Sequence, residues 1–272
     1  MKIAELGVLN SALALFGGPY SNAHATAAFF ETIAQHGVDP GAAICTGDVV
    51  AYCGDPRGTI DQVHASGCVV VAGNCERQLA DRASDCGCGF EAGSRCDTLS
   101  AEWYSFSDGQ VTDADRQWMG TCPDIAVFVH QGQRYAVIHG GATNKSRFIW
   151  STSPMDVFQC EIAGVSRLLG PVDAVIAGHS GLPFQRDIDG VRWINAGVIG
   201  MPPHDGRQMT RFAILDGGEV TFHPLHYDVQ AAVAQMTKAG LTQGYDRALA
   251  TGYWPSEDVL PSDLRGLSLA SG

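Results

Sequence analysis

Through its first third the chain alternates short apolar runs with segments of helical period, and that alternation permits few folds. Ala12–Phe16 reads as a buried strand. Residues 23–36 then read as a helix, with Ser21 or Asn22 as its cap, because a short polar side chain there can accept from the first free N–H groups. Ala42–Cys45 predicts a second strand, residues 57–66 a second helix and Cys68–Ala72 a third strand. Strand, helix and strand at this spacing imply right-handed crossovers and a parallel sheet.

After residue 120 the pattern changes. Ile125–Val129 and Arg134–Ile138 flank Gln131-Gly132-Gln133, which has the look of a hairpin turn. Val172–Ala177, Val191–Asn195, Thr210–Leu215 and Glu219–His223 continue as strands, so a second, more antiparallel sheet is expected. Residues 228–251 return to helix and Pro255 begins a polar tail. With 45% hydrophobic and 17% charged residues, 272 residues suffice for one large core. The expectation is a single α/β domain over residues 1–272. It carries a Cys-rich insertion or lid loop at about 81–98 and a C-terminal helical extension at about 228–272, whose helices serve as packing elements or as a homodimer surface.

The formal charge of −12 argues against coating duplex nucleic acid, because an acidic surface repels a phosphate backbone. It leaves a small phosphorylated substrate open, since a bound divalent ion can dominate the local field. Residues 1–11 lack a basic region followed by an apolar run, and no stretch approaches the roughly 20 apolar residues of a membrane span. A cytoplasmic protein without a membrane partner is expected. Nine cysteines, an odd number, then point to free, buried or metal-binding thiols rather than a disulfide framework.

Four polar points stand at expected strand ends: Gly47-Asp48, Gly73-Asn74-Cys75-Glu76, His139-Gly140-Gly141 and Gly178-His179-Ser180-Gly181. Ligands of open α/β sheets bind beyond the carboxyl ends of strands. Taken singly, each is more readily a turn or a satisfied core histidine. Together an Asp, an Asn and two His form a mixed oxygen and nitrogen set, suited to a divalent Zn, Mn or Fe ion.

This order resembles the calcineurin-like metallophosphoesterases over about residues 12–227, and Gly178–Pro203 is similar to the end of the core in their small YfcE- and ApaH-like branch. The resemblance implies a two-sheet β-sandwich flanked by helices, in four αββα layers. It also implies two metals that activate a bridging hydroxide against phosphorus. Asp48, Asn74, His139 and His179 fall on the ligands of one metal. For the other, Phe16–Asn22 aligned on the opening motif puts Gly18 where the family has Asp and Tyr20 where it has His, and Gly181 replaces a further His. One or two metals per chain follow. Cys75 stands where the family has the histidine that protonates the leaving group, and Glu76 where that histidine has its acidic partner, which marks both as catalytic candidates.

Cys86 and Cys88, just beyond Cys75, are candidates for additional metal ligands: thiolates of this loop could fill the space left by Gly18 and Gly181. They read equally as buried small hydrophobes or as a disulfide, as does Cys96. Cys45, Cys53, Cys68, Cys122 and Cys160 read as core. Tyr20, Asn22 and Arg147 are candidates for substrate contacts, with Tyr52, Asn144 and Lys145 behind them. The expected function is metal-dependent hydrolysis of a small phosphomonoester or phosphodiester. The alternative is a non-catalytic or redox-linked metal-binding protein on the same scaffold.

Overall fold

The computed structural model describes residues 1–266. The first half of the chain runs through β1 (Ile3–Val8), β2 (Leu13–Phe16), α1 (Ala23–Gln35), β3 (Ala43–Cys45), α2 (Pro56–Ser66), β4 (Val69–Val70), α3 (Asn74–Ala80), α4 (Arg95–Gln110) and α5 (Asp113–Thr121). Then follow β5 (Ile125–His130), β6 (Gln133–Val137), α6 (Met155–Leu169), β7 (Ala174–Ala177), β8 (Phe184–Ile188) and β9 (Val191–Asn195). The chain closes with β10 (Thr210–Asp216), β11 (Glu219–Leu225), α7 (Val229–Ala239) and α8 (Tyr245–Thr251).

Local chemistry sets the helix starts. The Asn22 side chain accepts from the Ala25 N–H at 3.0 Å and caps α1. Asp55 accepts from the Gly58 N–H at 2.9 Å and caps α2, where Pro56 needs no partner for a missing N–H.

The strands form two sheets, in the orders β11-β10-β2-β3-β4 and β1-β5-β6-β7-β9-β8. In the first, β2, β3 and β4 are parallel, as the crossovers require. Leu13, Leu15 and Ile44 of this sheet meet Phe128, Tyr135, Ile176 and Ile194 of the second in one buried cluster. Phe16, Phe29 and Phe212 pack α1 on the outer face of the first sheet. Phe158 and Trp193 pack α6 on the outer face of the second. The result is the expected sandwich of two sheets between helices.

Several expectations change in detail. Thr210–Leu215 and Glu219–His223 do not extend the second sheet: β10 runs antiparallel to β2, pairing Ala213 with Leu15, and β11 follows it at the edge. The irregular stretch after α3 ends at Ser94, whose side chain accepts from the Asp97 N–H at 3.1 Å and caps α4 inside the expected loop. Residues 256–266 fold back, burying Leu260, and residues 267–272 of the expected extension lie outside the described residues. Among the described residues no helix is long and apolar enough to cross a membrane.

One glycine positions the site. Gly47, at φ +102°, has no Cβ, and one placed there would stand 2.7 Å from the Val71 carbonyl oxygen. Its absence lets the ends of β3 and β4 close on each other, so that Asp48 and Asn74 share one corner.

Candidate metal centre

Asp48 follows β3, Asn74 opens α3 just beyond β4, His139 follows β6 and His179 follows β7. All four are buried. Asp48 and His179 hold left-handed backbones, at φ 57° and 59°, a conformation that tends to persist where surrounding structure enforces it at functional sites.

Their polar atoms converge on His139. Its Nε2 lies 3.0 Å from Asn74 Oδ1, 3.1 Å from His179 Nδ1 and 3.2 Å from Asp48 Oδ2. Its Nδ1 is 2.6 Å from the Thr46 carbonyl, which can only accept, so Nδ1 carries a proton. In the neutral ring Nε2 is then a lone pair that faces the Asp48 and Asn74 oxygens, and His179 Nδ1 is a further lone pair when that ring carries its proton on Nε2. Donor atoms around a tetrahedral zinc-like ion, with bonds near 2.0–2.1 Å, lie about 3.3 Å apart. The carboxylate and imidazole atoms of Asp48, His139 and His179 all lie within 4.8 Å of one another. The donor set therefore fits a divalent cation. The His139 bond to the Thr46 carbonyl is the outer contact that orients a metal-binding imidazole.

The electrostatics agree. Burial pushes His179 down to about 3, helped by the neighbouring His139, so its ring is neutral. Its Nε2 is buried without a partner among the described residues. Burial alone would raise the Asp48 carboxyl, but His139 outweighs it and holds the group at about 2. Burial likewise opposes a charge on His139, yet Asp48 raises it above the ordinary range. Without an ion, a second proton on His139 balances the cluster, and an ion would displace that proton.

A family model of the calcineurin-like phosphoesterase superfamily domain matches residues 18–219. The chain belongs to the calcineurin-like phosphoesterase superfamily. Among solved structures, a metallophosphoesterase from Sphaerobacter thermophilus is 20% identical, covering 90% of this chain and 100% of its own, with a TM-score of 0.69. A hypothetical protein from Pyrococcus horikoshii is 16% identical, covering 90% and 99%, with a TM-score of 0.72. At these identities the likeness establishes the fold. Among curated proteins none matches this chain. Membership of the superfamily implies divalent metal binding, and the cluster around His139 is the candidate site.

On this calcineurin-like scaffold the remaining candidates separate. Cys75 is buried and donates its N–H to Asp48 Oδ1 at 3.2 Å. Burial, then Asp48, pushes its thiol well above the usual range, so it stays protonated. Glu76 is fully buried and accepts from the N–H groups of Asp48, Val49 and Gly73, each at 2.8 Å. It ties the two loops that carry Asp48 and Asn74. Cys86 and Cys88 are joined in a disulfide beside the cluster. The Asn74 Nδ2 donates to the Cys86 carbonyl at 2.8 Å and lies 3.4 Å from Cys88 Sγ. That contact turns Asn74 Oδ1 toward His139.

Tyr20 is buried at φ 53°, with its ring over Gly18. A Cβ at Gly18 would overlap the Tyr20 ring carbons. The ring packs edge-on to Tyr52 at 4.7 Å, and Tyr52 packs on Tyr245 and Trp103 at 4.6 and 5.0 Å. Tyr20, Tyr52, Trp103 and Tyr245 thus form one aromatic cluster. Asn22 lies away from His139: besides capping α1, it donates to the Gly200 carbonyl at 3.1 Å. Arg147 pairs with the buried Glu161 at 2.8 Å, and Lys145 lies 3.2 Å from Asp124 while donating to the Ala72 carbonyl at 2.6 Å. Asn195 donates to the Gly178 carbonyl at 3.0 Å and to Ser180 Oγ at 2.8 Å, tying the turn that carries His179. Cys45, Cys53 and Cys122 are buried as expected, Cys68 is half-buried and Cys160 is exposed.

The reading of the sequence missed Phe148 and Trp254. Phe148 stands 4.3 Å from the His179 ring, and Trp254 lines the cleft next to it. No local pattern marks either one, because their roles arise from segments folded in from elsewhere.

Proposed function

We propose that the protein is a metal-dependent phosphoester hydrolase with a mononuclear centre held by Asp48, Asn74, His139 and His179. The observation that carries this reading is the convergence of an amide oxygen, a carboxylate oxygen and a second imidazole on His139 Nε2 at 3.0–3.2 Å. A divalent ion bound there supplies a Lewis acid that acidifies water and polarises a phosphoryl oxygen. The substrate is a small phosphomonoester or phosphodiester.

In this reading Cys75 and Glu76 position the ligands. Cys75 holds Asp48 through its N–H, and Glu76 pins the backbone of Asp48 and Gly73. Arg147 and Lys145 are engaged elsewhere, so the phosphate charge falls to the metal. The test is turnover by metal-reconstituted protein on p-nitrophenyl phosphate, bis-p-nitrophenyl phosphate and a nucleotide panel. Hydrolysis that disappears in Asp48→Ala is expected. No turnover on any of these, or full activity in Asp48→Ala, overturns the reading.

A second reading rests on Cys88 Sγ, 3.4 Å from Asn74 Nδ2. A dithiol reductant would convert the Cys86–Cys88 bond to two thiols and itself become a disulfide. Cys88, ionised on binding, would then add a sulfur ligand to the centre and make its metal content redox-linked. Cobalt-loaded protein should gain a thiolate charge-transfer band on reduction. An unchanged spectrum removes this reading.

A further inference from the structure

A cleft opens directly beside His179. It is walled by Tyr20, Tyr52, Phe148, Val198, Met201 and Trp254, encloses about 50 Å³ and is open to solvent at its mouth. Two of the three positions at which this chain lacks the family's other metal ligands, Tyr20 and Gly181, line it. Gly181 has no side chain, so the cleft reaches the metal-side histidine unobstructed.

The walls have a definite chemistry. No Lys, Arg, Asp or Glu is among the cleft residues. Ser180 Oγ is already spent, donating to the Ile149 carbonyl at 2.8 Å and accepting from Asn195. Ser256 Oγ accepts from the Asp258 N–H at 3.2 Å, and most of the remaining surface is aromatic or aliphatic. The Phe148 ring lies 4.3 Å from His179 and parallel to Trp150, with 5.5 Å between centroids and 2° between planes. Trp254 is fixed at the other wall: its Nε1 donates to the Pro202 carbonyl at 2.7 Å and its backbone N–H to His204 Nδ1 at 2.8 Å. His204 in turn pairs with Glu257 at 2.7 Å, which pins the returning tail. Flat, fixed aromatic walls favour a flat ring, through stacking and edge contacts.

We infer that this cleft binds a flat aromatic ring carried on one arm of the phosphoester substrate. The inference rests on the proposed hydrolase reading, which places the phosphorus against His179. The cleft thus gives the vacated half of the centre a new task, holding a substrate group by dispersion and stacking where the family holds a metal ion. Nucleoside and simple aryl esters share this chemistry.

The test uses metal-loaded full-length chain and calorimetric titration with methylphosphonate, phenylphosphonate and adenosine 5′-monophosphate. Adenosine alone, read through tryptophan fluorescence, probes the cleft without a phosphate. Phenylphosphonate should bind about tenfold more tightly than methylphosphonate, as one stacked ring contributes. Phe148→Ala and Val259→Trp, the second filling the cleft from the half-buried tail, should each erase that preference and the adenosine signal. Tighter binding of adenosine 5′-monophosphate than phenylphosphonate marks a nucleoside ester and the reverse a simple aryl ester, and either supports the cleft. Equal affinity for the two phosphonates, or a preference that survives in both variants, overturns the inference. Adenosine binding that Val259→Trp abolishes, with neither phosphonate bound, supports the cleft while overturning the hydrolase reading beneath it.

Discussion

The polar corner around His139 and the aromatic cluster around Tyr20 are held together in opposite ways. On one side Asp48, Asn74, His139 and His179 keep a complete set of donor atoms within 3.0–3.2 Å of His139 Nε2, braced by Glu76 and the Thr46 carbonyl. On the other, the Tyr20 ring lies over Gly18 and forms a wall of the open cleft together with Gly181. The residues on that side depend on one another. The Tyr20 ring needs the space that any side chain at Gly18 would occupy, so position 18 cannot gain one while the ring is there. A polar site needs each donor in place, because a buried unpaired charge is costly. An apolar one needs only volume and shape. The contrast teaches that a polar corner depends on every donor at once, whereas an apolar cluster depends on the fit of its rings.

Substitution on the two sides should therefore differ in kind. The largest effect is expected from His139→Ala, which removes the atom on which the other donors converge. Metal retention and phosphoesterase turnover should both fall to background, measured by elemental analysis and a chromogenic assay. Next comes a double-mutant cycle. Gly18→Ala should destabilise by about 1–3 kcal/mol in urea unfolding, through overpacking against the Tyr20 ring. Gly18→Ala with Tyr20→Ala should cost less than the sum of the two single changes, and additive values would show that the positions are independent.

The third prediction concerns pH in metal-free protein. His179 is depressed to about 3 in the folded chain, against 6.5 for the free side chain. Between those values the unfolded chain binds a proton that the folded chain does not, so this group's contribution to stability falls as pH falls through 6.5. From pH 7 to pH 5 the loss should reach about 2 kcal/mol, and His179→Gln should flatten that part of the profile. An unchanged slope in the variant would place the titration elsewhere. The smallest effect is expected from Tyr20→Phe. It should change metal affinity by less than about twofold in a competition assay with a chromogenic chelator, since a neutral phenol is a poor ligand.

Much of this contrast was visible in the sequence, and the reason is local encoding. Strands β3 and β7 are short apolar runs followed by glycine and a polar residue, β2 is one followed by Gly17-Gly18, and such punctuation needs no tertiary information. The superfamily and its two-sheet sandwich followed from the order of those motifs. Strand β1 escaped because it is an edge strand whose residues stay largely exposed, and β8, Phe-Gln-Arg-Asp-Ile, alternates polar residues at the other end of the same sheet. Helix α4 was hidden in a Gly- and Ser-rich context without a clear apolar face. The placement of β10 against β2 depends on a pairing between residues about 200 positions apart, which no local window contains. At the site, the types of Asp48, Asn74, His139 and His179 were legible. The ring of Tyr20 over Gly18, the triple backbone grip of Glu76 and the return of Trp254 over the cleft were not, since each depends on tertiary packing.

The central claim is that one half of the centre holds metal and the other does not. Elemental analysis of wild-type, Tyr20→Phe and His139→Ala chains, each reconstituted with zinc or manganese and freed of excess ion, tests it most directly. One ion per chain is predicted for wild type and Tyr20→Phe, and none for His139→Ala. Two ions per wild-type chain, or one ion retained by His139→Ala, would contradict the account.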